Sequence, residues 1–265
     1  AGNERKKPSL IEVKTIIGYC SSLQGSHLAH SNPFGPEEAA RTKKFYNWKY
    51  EDFTIPKEVY EDFQSVKERG IEKEREWVEL FLQYGKKYPE LARELKRIIE
   101  GKLPEDWQKG LPNWEEGSSL ATREASSVVL NKLAEKITEL VGGSADLDAS
   151  TKTRLKNFKD FANDGYDGKN IRFGVREFAM GTIANGLALH GLRPFVSTFL
   201  VFSDYLRPAI RLSALMKLPV IYVFTHDSVA VGQDGPTHQP VEHLASLRAM
   251  PGVTVIRPAD ANETR

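Results

Sequence analysis

A single cysteine, Cys20, stands among the 265 residues, which excludes an internal disulfide framework and suits a reducing compartment, so a cytoplasmic setting is expected. No apolar run approaches the length needed to cross a bilayer, and the richest stretch, Val220 to Thr225, is strand-sized. An excess of charge is also missing: 37 Lys plus Arg face 36 Asp plus Glu. Neither nucleic acid nor a membrane is therefore expected as a partner. No signal-peptide pattern opens the sequence, and no repeat of solenoid period runs through it. What is present, 40% hydrophobic and 28% charged residues, is the profile of a soluble globular protein long enough to bury a core.

The order of patterns along the chain divides it in three. Between Pro8 and Cys20, the alternation Ile11, Val13, Thr15, Ile17 reads as a buried strand, followed by a polar Gly/Ser/His loop to His30 and a short helix over Glu37 to Trp48. From Pro56 to Ile99 charged sequence carries apolar residues at helical spacing, with Gly70, Gly85 and Pro89 expected to break it into two or three helices. Gly101 to Ser119 reads as a linker. Beyond it, strand-like runs (Ile137 to Val141, Ile171 to Phe173, Arg193 to Ser197, Val220 to Thr225, Val253 to Ile256) alternate with helical ones. The helical runs are Thr122 to Lys136, Arg176 to His190, Phe199 to Met216 and Pro240 to Ala249. That alternation predicts an α/β fold, a mostly parallel sheet with helices on both faces, preceded by a helical connector. The expected domains are 1–50, 51–119 and 120–265. The chain begins with Ala1 and stops at Arg265 as a helix starts, so truncation at both ends is expected.

In parallel sheets, ligands sit beyond the carboxyl ends of the strands. The loops expected there are rich in reactive polar groups: Gly142 to Ser150, Gly174 to Gly181 with Glu177 in the first helical turn, and His226 to Pro240 with two His and two Asp. Four of the six histidines fall in two polar loops. No spacing demands a metal, so no metal ligand is assigned. Asp164-Gly-Tyr-Asp-Gly-Lys-Asn170 reads as a turn before a strand.

Several of these runs resemble transketolase, in that family's order: Gly174-Val-Arg-Glu-Phe-Ala-Met, Thr182-Ile-Ala-Asn-Gly-Leu-Ala-Leu-His-Gly191, Ser197-Thr-Phe-Leu-Val-Phe, Thr225-His-Asp-Ser and Asp234-Gly-Pro-Thr-His-Gln-Pro240. Lys7-Pro-Ser-Leu-Ile and Lys14-Thr-Ile-Ile-Gly18 resemble the end of its first domain. The likeness covers nearly the whole chain and is weakest between Pro56 and Gly117. It implies the end of a diphosphate-binding domain, a connector, and an incomplete pyrimidine-binding domain.

The resemblance also implies roles. Glu177 would hydrogen-bond the pyrimidine ring of thiamine diphosphate, which calls for a buried carboxyl able to donate. Taken alone, it is as readily an acid favoured at a helix N-terminus. Phe199, Phe202 and Tyr205, at three-residue spacing on one helix face, would wall the aminopyrimidine; alone they read as core packing. His226 would help bind a substrate phosphate with Arg123 and Ser150, Asp234 would read a sugar hydroxyl, and His238 would act beside the bond being cleaved, assisted by His27. Asp146 would lie near the cofactor and subunit contact. His190 reads as a helix-closing residue and His243 as structural.

For the whole protein, the resemblance implies thiamine diphosphate-dependent ketol transfer between sugar phosphates in the pentose phosphate pathway, by a homodimer with active sites at the subunit interface. Mg²⁺ would be held by a Gly-Asp-Gly motif that this sequence does not contain. The alternatives are a related thiamine enzyme such as dihydroxyacetone synthase, or a non-catalytic partial cofactor-binding module.

Overall fold

The computed structural model describes residues 1–163 and 165–265. It divides into two compact units, Ala1–Leu80 and Phe81–Arg265. In the first, α1 (Pro36–Phe45) starts where Pro36 supplies a preset φ and Glu37 and Glu38 meet the positive end of the helix dipole. Glu38 also accepts from the Ser22 backbone N–H (2.7 Å) and Ser22 Oγ (2.9 Å). These bonds, the backbone one foremost, lower its pKa and pin the loop that follows Cys20.

The buried strand expected over residues 11–17 is not formed. The segment carries no ladder, and Ile11 and Val13 are 71% and 74% exposed. Alternating apolar residues make a strand only where another strand takes up their backbone groups. Gly70 and Gly85 break nothing either: α2 (Lys57–Lys87) runs unbroken through both, and only Pro89, at N1 of α3 (Pro89–Ile99), separates the two helices. A helical glycine costs about 1 kcal/mol, which a 31-residue helix absorbs.

The second unit holds the sheet. α4 (Thr122–Lys136) leads into β1 (Leu140–Ser144), then come α5 (Asp148–Thr151), β2 (Asn170–Arg172), α6 (Glu177–Leu189), β3 (Arg193–Phe199), α7 (Ser203–Leu215) and β4 (Ile221–Thr225). The strands lie in the order β2-β1-β3-β4, and every pair is parallel. Adjacent residues of β3 face opposite ways: Phe195 joins a core with Leu130 and Ala134 of α4, while Val196 joins one with Met180 of α6 and Leu206 of α7. Helices thus cover both faces, as the alternation of patterns required. The short helices α8 (His243–Arg248) and α9 (Ala261–Thr264) complete the unit.

Several boundaries differ from the sequence reading. β1 begins at Leu140, because Ile137 caps α4 by donating its N–H to the Leu133 carbonyl (2.8 Å); Gly142 to Ser144 are therefore strand, not loop. The helix expected from Phe199 begins at Ser203, after a 3-10 turn over Leu200–Phe202. Val253 to Ile256 is extended but carries no ladder among the described residues, and Ile256 is 78% exposed. Asp164, the first residue of the turn read over Asp164 to Asn170, lies outside the described residues.

Candidate functional site at the carboxyl rim of the sheet

A parallel sheet sends all its strand carboxyl ends to one rim, and the residues singled out in the second unit collect there, most of them in the loops that follow the strands. Beyond β2, Gly174 turns the chain at φ 67°, a conformation glycine adopts without penalty, and α6 starts at Glu177. Glu177 is 8% exposed, and its carboxylate has no hydrogen-bond partner among the described residues. α6 is held close to α7 by Gly181, where an added Cβ would sit 2.5 Å from Leu206 Cδ1 and 2.7 Å from Ala209 Cβ.

The aromatic wall is built differently from the single helix face expected. Phe199 ends β3, Phe202 lies in the 3-10 turn and Tyr205 in the first turn of α7. Three residues per turn eclipse i and i+3, so the spacing still brings the rings together. Phe199 and Phe202 stack at 5.9 Å between centroids and 12° between planes; Tyr205 follows at 6.3 Å from Phe202. Both loop histidines join them. His226 stacks on Phe199 at 3.7 Å, and His238 stands edge-on to Phe202 at 5.3 Å.

His226 is the junction of two groupings. Its backbone is left-handed, φ 55°, an uncommon state for a residue with a Cβ and one that concentrates at functional positions. Arg123 Nη1, at the start of α4, makes long contacts of 3.5 Å both to His226 Nε2 and to the Ser150 carbonyl. A guanidinium only donates, so Nε2 accepts, and the ring proton sits on Nδ1, which donates to Thr225 Oγ1 at 2.9 Å. Burial, followed by the Arg123 charge, pushes the His226 pKa below its ordinary value, which keeps the imidazole neutral. Asp234, exposed on the same loop, acts in the opposite direction. His238 Nδ1 meets Thr237 Oγ1 at 3.0 Å, leaving Nε2 without a partner among the described residues.

The remaining expectations are more scattered. Asp146, exposed at φ 63°, lines a small cavity with Asp148, Arg154 and Arg172 rather than the aromatic wall. His27 belongs to the first unit, exposed in a 3-10 turn over His27–His30 that Ser26 caps by accepting from the Leu28 N–H. His190 closes α6, and His243 is buried with Nε2 3.2 Å from Asp204 Oδ2, tying α8 to α7. Sequence reading passed over the hydroxyls of Ser144, Thr151, Thr153 and Ser197, all at most 4% exposed. The signal was available in Ser197 and Thr198, polar residues interrupting a run that is otherwise apolar from Pro194 to Phe202.

Residues 118–265 match the family model of the transketolase pyrimidine binding domain, and residues 1–104 that of the transketolase thiamine diphosphate binding domain. The chain belongs to the transketolase family. It is 60% identical over 268 residues to the transketolase of Bacillus subtilis, covering 100% of this chain and 40% of that protein. With the transketolase of Geobacillus stearothermophilus the identity is 58% over 262 residues, covering 97% and 39%. Among solved structures, the Pichia stipitis transketolase in complex with sedoheptulose 7-phosphate is 43% identical with a TM-score of 0.93, covering 97% of this chain and 40% of that one. The chain therefore spans about two-fifths of the length of the transketolases it matches. Thiamine diphosphate is the cofactor that membership in the transketolase family implies. The rim carries a carboxylate without an internal partner, on a residue otherwise buried, and stacked rings, groups compatible with a flat aminopyrimidine.

Proposed function

We propose that the transketolase to which this sequence belongs transfers a two-carbon ketol unit from a ketose phosphate to an aldose phosphate, as in the pentose phosphate pathway. The observation that carries this reading is Glu177, a residue only 8% exposed whose unpartnered carboxylate opens onto the rim that also bears the ring wall and the Arg123–His226 group. The chemistry thiamine diphosphate supplies, when bound, is a nucleophilic ring carbon able to attack a ketose carbonyl.

Glu177 meets the pyrimidine ring nitrogen in a hydrogen bond that a site closed to competing water strengthens. Phe199, Phe202 and Tyr205 fix the ring plane, and Asp146 lies near the cofactor. Arg123, Ser150 and His226 receive the substrate phosphate: the Arg123 guanidinium offers a planar donor fork, and His226 adds a donor when its proton shifts. Asp234 accepts from a sugar hydroxyl. His238 Nε2 is the ring nitrogen available to exchange a proton with the substrate oxygen; a catalytic role for His27 rests on the family resemblance alone. The Pichia stipitis relatives described with sedoheptulose 7-phosphate, fructose 6-phosphate and xylulose 5-phosphate support the choice of phosphorylated sugars.

A homodimer is part of the proposal. Val175 and Phe178, 75% and 51% exposed beside Glu177 in the chain, and Tyr205, 65% exposed in the ring wall, suit a site completed by a second surface. So is a division into the end of a diphosphate-binding domain (1–50), a helical connector (51–119) and a pyrimidine-binding domain (120–265), resting on the charged helices between two differently patterned ends. The cytoplasmic setting rests on the lone cysteine. Mg²⁺ would be held outside this chain, so the 265 residues alone are proposed to be inactive.

The test is Glu177→Ala in the full-length protein. Ketol transfer should fall by about 100-fold or more, the usual scale for removing a positioned acid; an unchanged rate would refute the assignment.

A further inference from the structure

Beneath the proposed phosphate group lies a set of buried hydroxyls that nothing in the reaction itself requires. Thr151, Thr153 and Ser197 are 1%, 1% and 0% exposed, and their oxygens form a closed triangle: Thr151 to Thr153 2.9 Å, Thr151 to Ser197 3.1 Å, Thr153 to Ser197 2.6 Å. Thr151 Oγ1 also donates to the Leu147 carbonyl at 2.9 Å, so within the triangle it only accepts, and the two protons of Thr153 and Ser197 serve two of the three edges. A fourth hydroxyl joins the same strands to the same loop. Ser144 Oγ donates to the Ser197 carbonyl (3.0 Å) and accepts from the Leu147 N–H (3.1 Å).

The placement of this cluster is informative. Ser197 lies in β3, two residues before Phe199, and Ser144 ends β1. Thr151 ends α5, the single helical turn that carries Ser150, and Thr153 follows it. α5 has no side-chain cap at its N-terminus and ends on Lys152 at φ 60°. So short a helix has little stability of its own. Its position therefore depends on what ties it to the sheet, and beside the partly exposed pair of Asp148 with Arg172 of β2 (3.8 Å) the buried polar ties are these hydroxyls. An apolar core would have filled the same space at lower desolvation cost, since each buried hydroxyl is unfavourable unless its bonds are made. Directional bonds fix an angle that apolar packing leaves free.

We propose that Thr151, Thr153 and Ser197 are positioning residues that fix α5, and through it Ser150 and its contact with Arg123, in the geometry that receives a substrate phosphate. The inference rests on the reading of Arg123, Ser150 and His226 as the phosphate group. The triangle transmits no proton to substrate and touches none. It sets donor selectivity by holding the phosphate end of the site to the strand whose last residue begins the cofactor wall.

The experiment uses the full-length enzyme and compares kcat/KM for a phosphorylated donor, xylulose 5-phosphate, with that for an unphosphorylated ketose. Their ratio cancels the concentration of active enzyme, so partial unfolding does not move it. Thr151→Val keeps the shape and removes the hydroxyl; it should lower the ratio roughly five- to tenfold, the scale expected when a hydrogen bond to a charged group is loosened, through KM for the phosphorylated donor and with kcat little changed. Thr151→Ser should restore the ratio. Ser197→Ala is the companion variant should Thr151→Val not accumulate, with the same expectation. An unchanged ratio in either variant overturns the inference. Arg123→Ala separates the two levels: if it too leaves the ratio unchanged, the phosphate reading itself has failed, whereas a fall in Arg123→Ala alone refutes only the positioning role.

Discussion

His226 combines three constraints on one residue: a left-handed backbone, a ring pressed on Phe199, and a neutral imidazole beside Arg123. Its depressed pKa has a consequence for stability. Unfolded, the ring takes up a proton near its ordinary value of 6.5; folded, it resists until lower pH. The unfolded state therefore binds more protons as pH falls, and the contribution, complete above about 6.5, is lost below it. Urea midpoints measured from about pH 7.5 to 5.5 should drop more steeply for the native protein than for His226→Gln; parallel curves would show that the ring is not held neutral. The same residue illustrates what sequence could supply. That His226 and His238 share a loop was legible; that both would lie against Phe199 and Phe202 was not, because the contact is made between loops that follow different strands.

At the scale of elements, two joints position the rim. The first is the α6–α7 crossing at Gly181. Filling it with Gly181→Val forces a branched side chain into Leu206 and Ala209; overpacking of this kind costs about 1–3 kcal/mol, readable as a lowered urea midpoint with unchanged slope. The second is the docking of α3 on the sheet. Arg97 grips Glu139 through two bonds of 2.8 Å, and Arg193 adds a second cation at 3.5 Å. Burial, the largest influence on Glu139, pushes its pKa up, yet the bonds to Arg97 and the charges of both arginines bring it net below the usual value. Its stabilisation is present above the ordinary carboxylate range and is lost as pH falls through it. Arg97→Met strands a carboxylate that is 2% exposed and should cost about 3–5 kcal/mol. Arg97→Met with Glu139→Leu should recover most of that, and failure to recover would mean that packing of α3, not charge, is what matters. Helix-to-strand alternation was readable because each element here is a complete period; the pairing of residues 97 and 139 across 42 positions was not.

For the whole molecule, the two strands that the sequence reading placed and the fold lacks share one cause. Residues 11–17 and 253–256 have the alternation of strands and neither carries a ladder, because a strand is a relation between two segments, and periodicity describes only one. The parallel sheet, by contrast, was readable from the succession of patterns alone, and with it the rim on which the site lies. The exposed apolar side chains of α2, Phe63 at 67% and Leu80 at 64% among them, are likewise invisible as exposed in a helical pattern that simply reads amphipathic. By calorimetry, the full-length protein is expected to bind thiamine diphosphate with Mg²⁺, and these 265 residues alone are not; micromolar binding by the chain alone would contradict the proposed division of the cofactor between domains.

Because every strand points the same way, the turns entering the strands, around residues 190–192 and 217–219, lie a strand length from the reactive rim, about 17 Å for five residues. That end is the natural attachment point for a spectroscopic label: a dye on Lys217, exposed at φ 55°, would report tumbling and assembly while leaving the chemistry unperturbed.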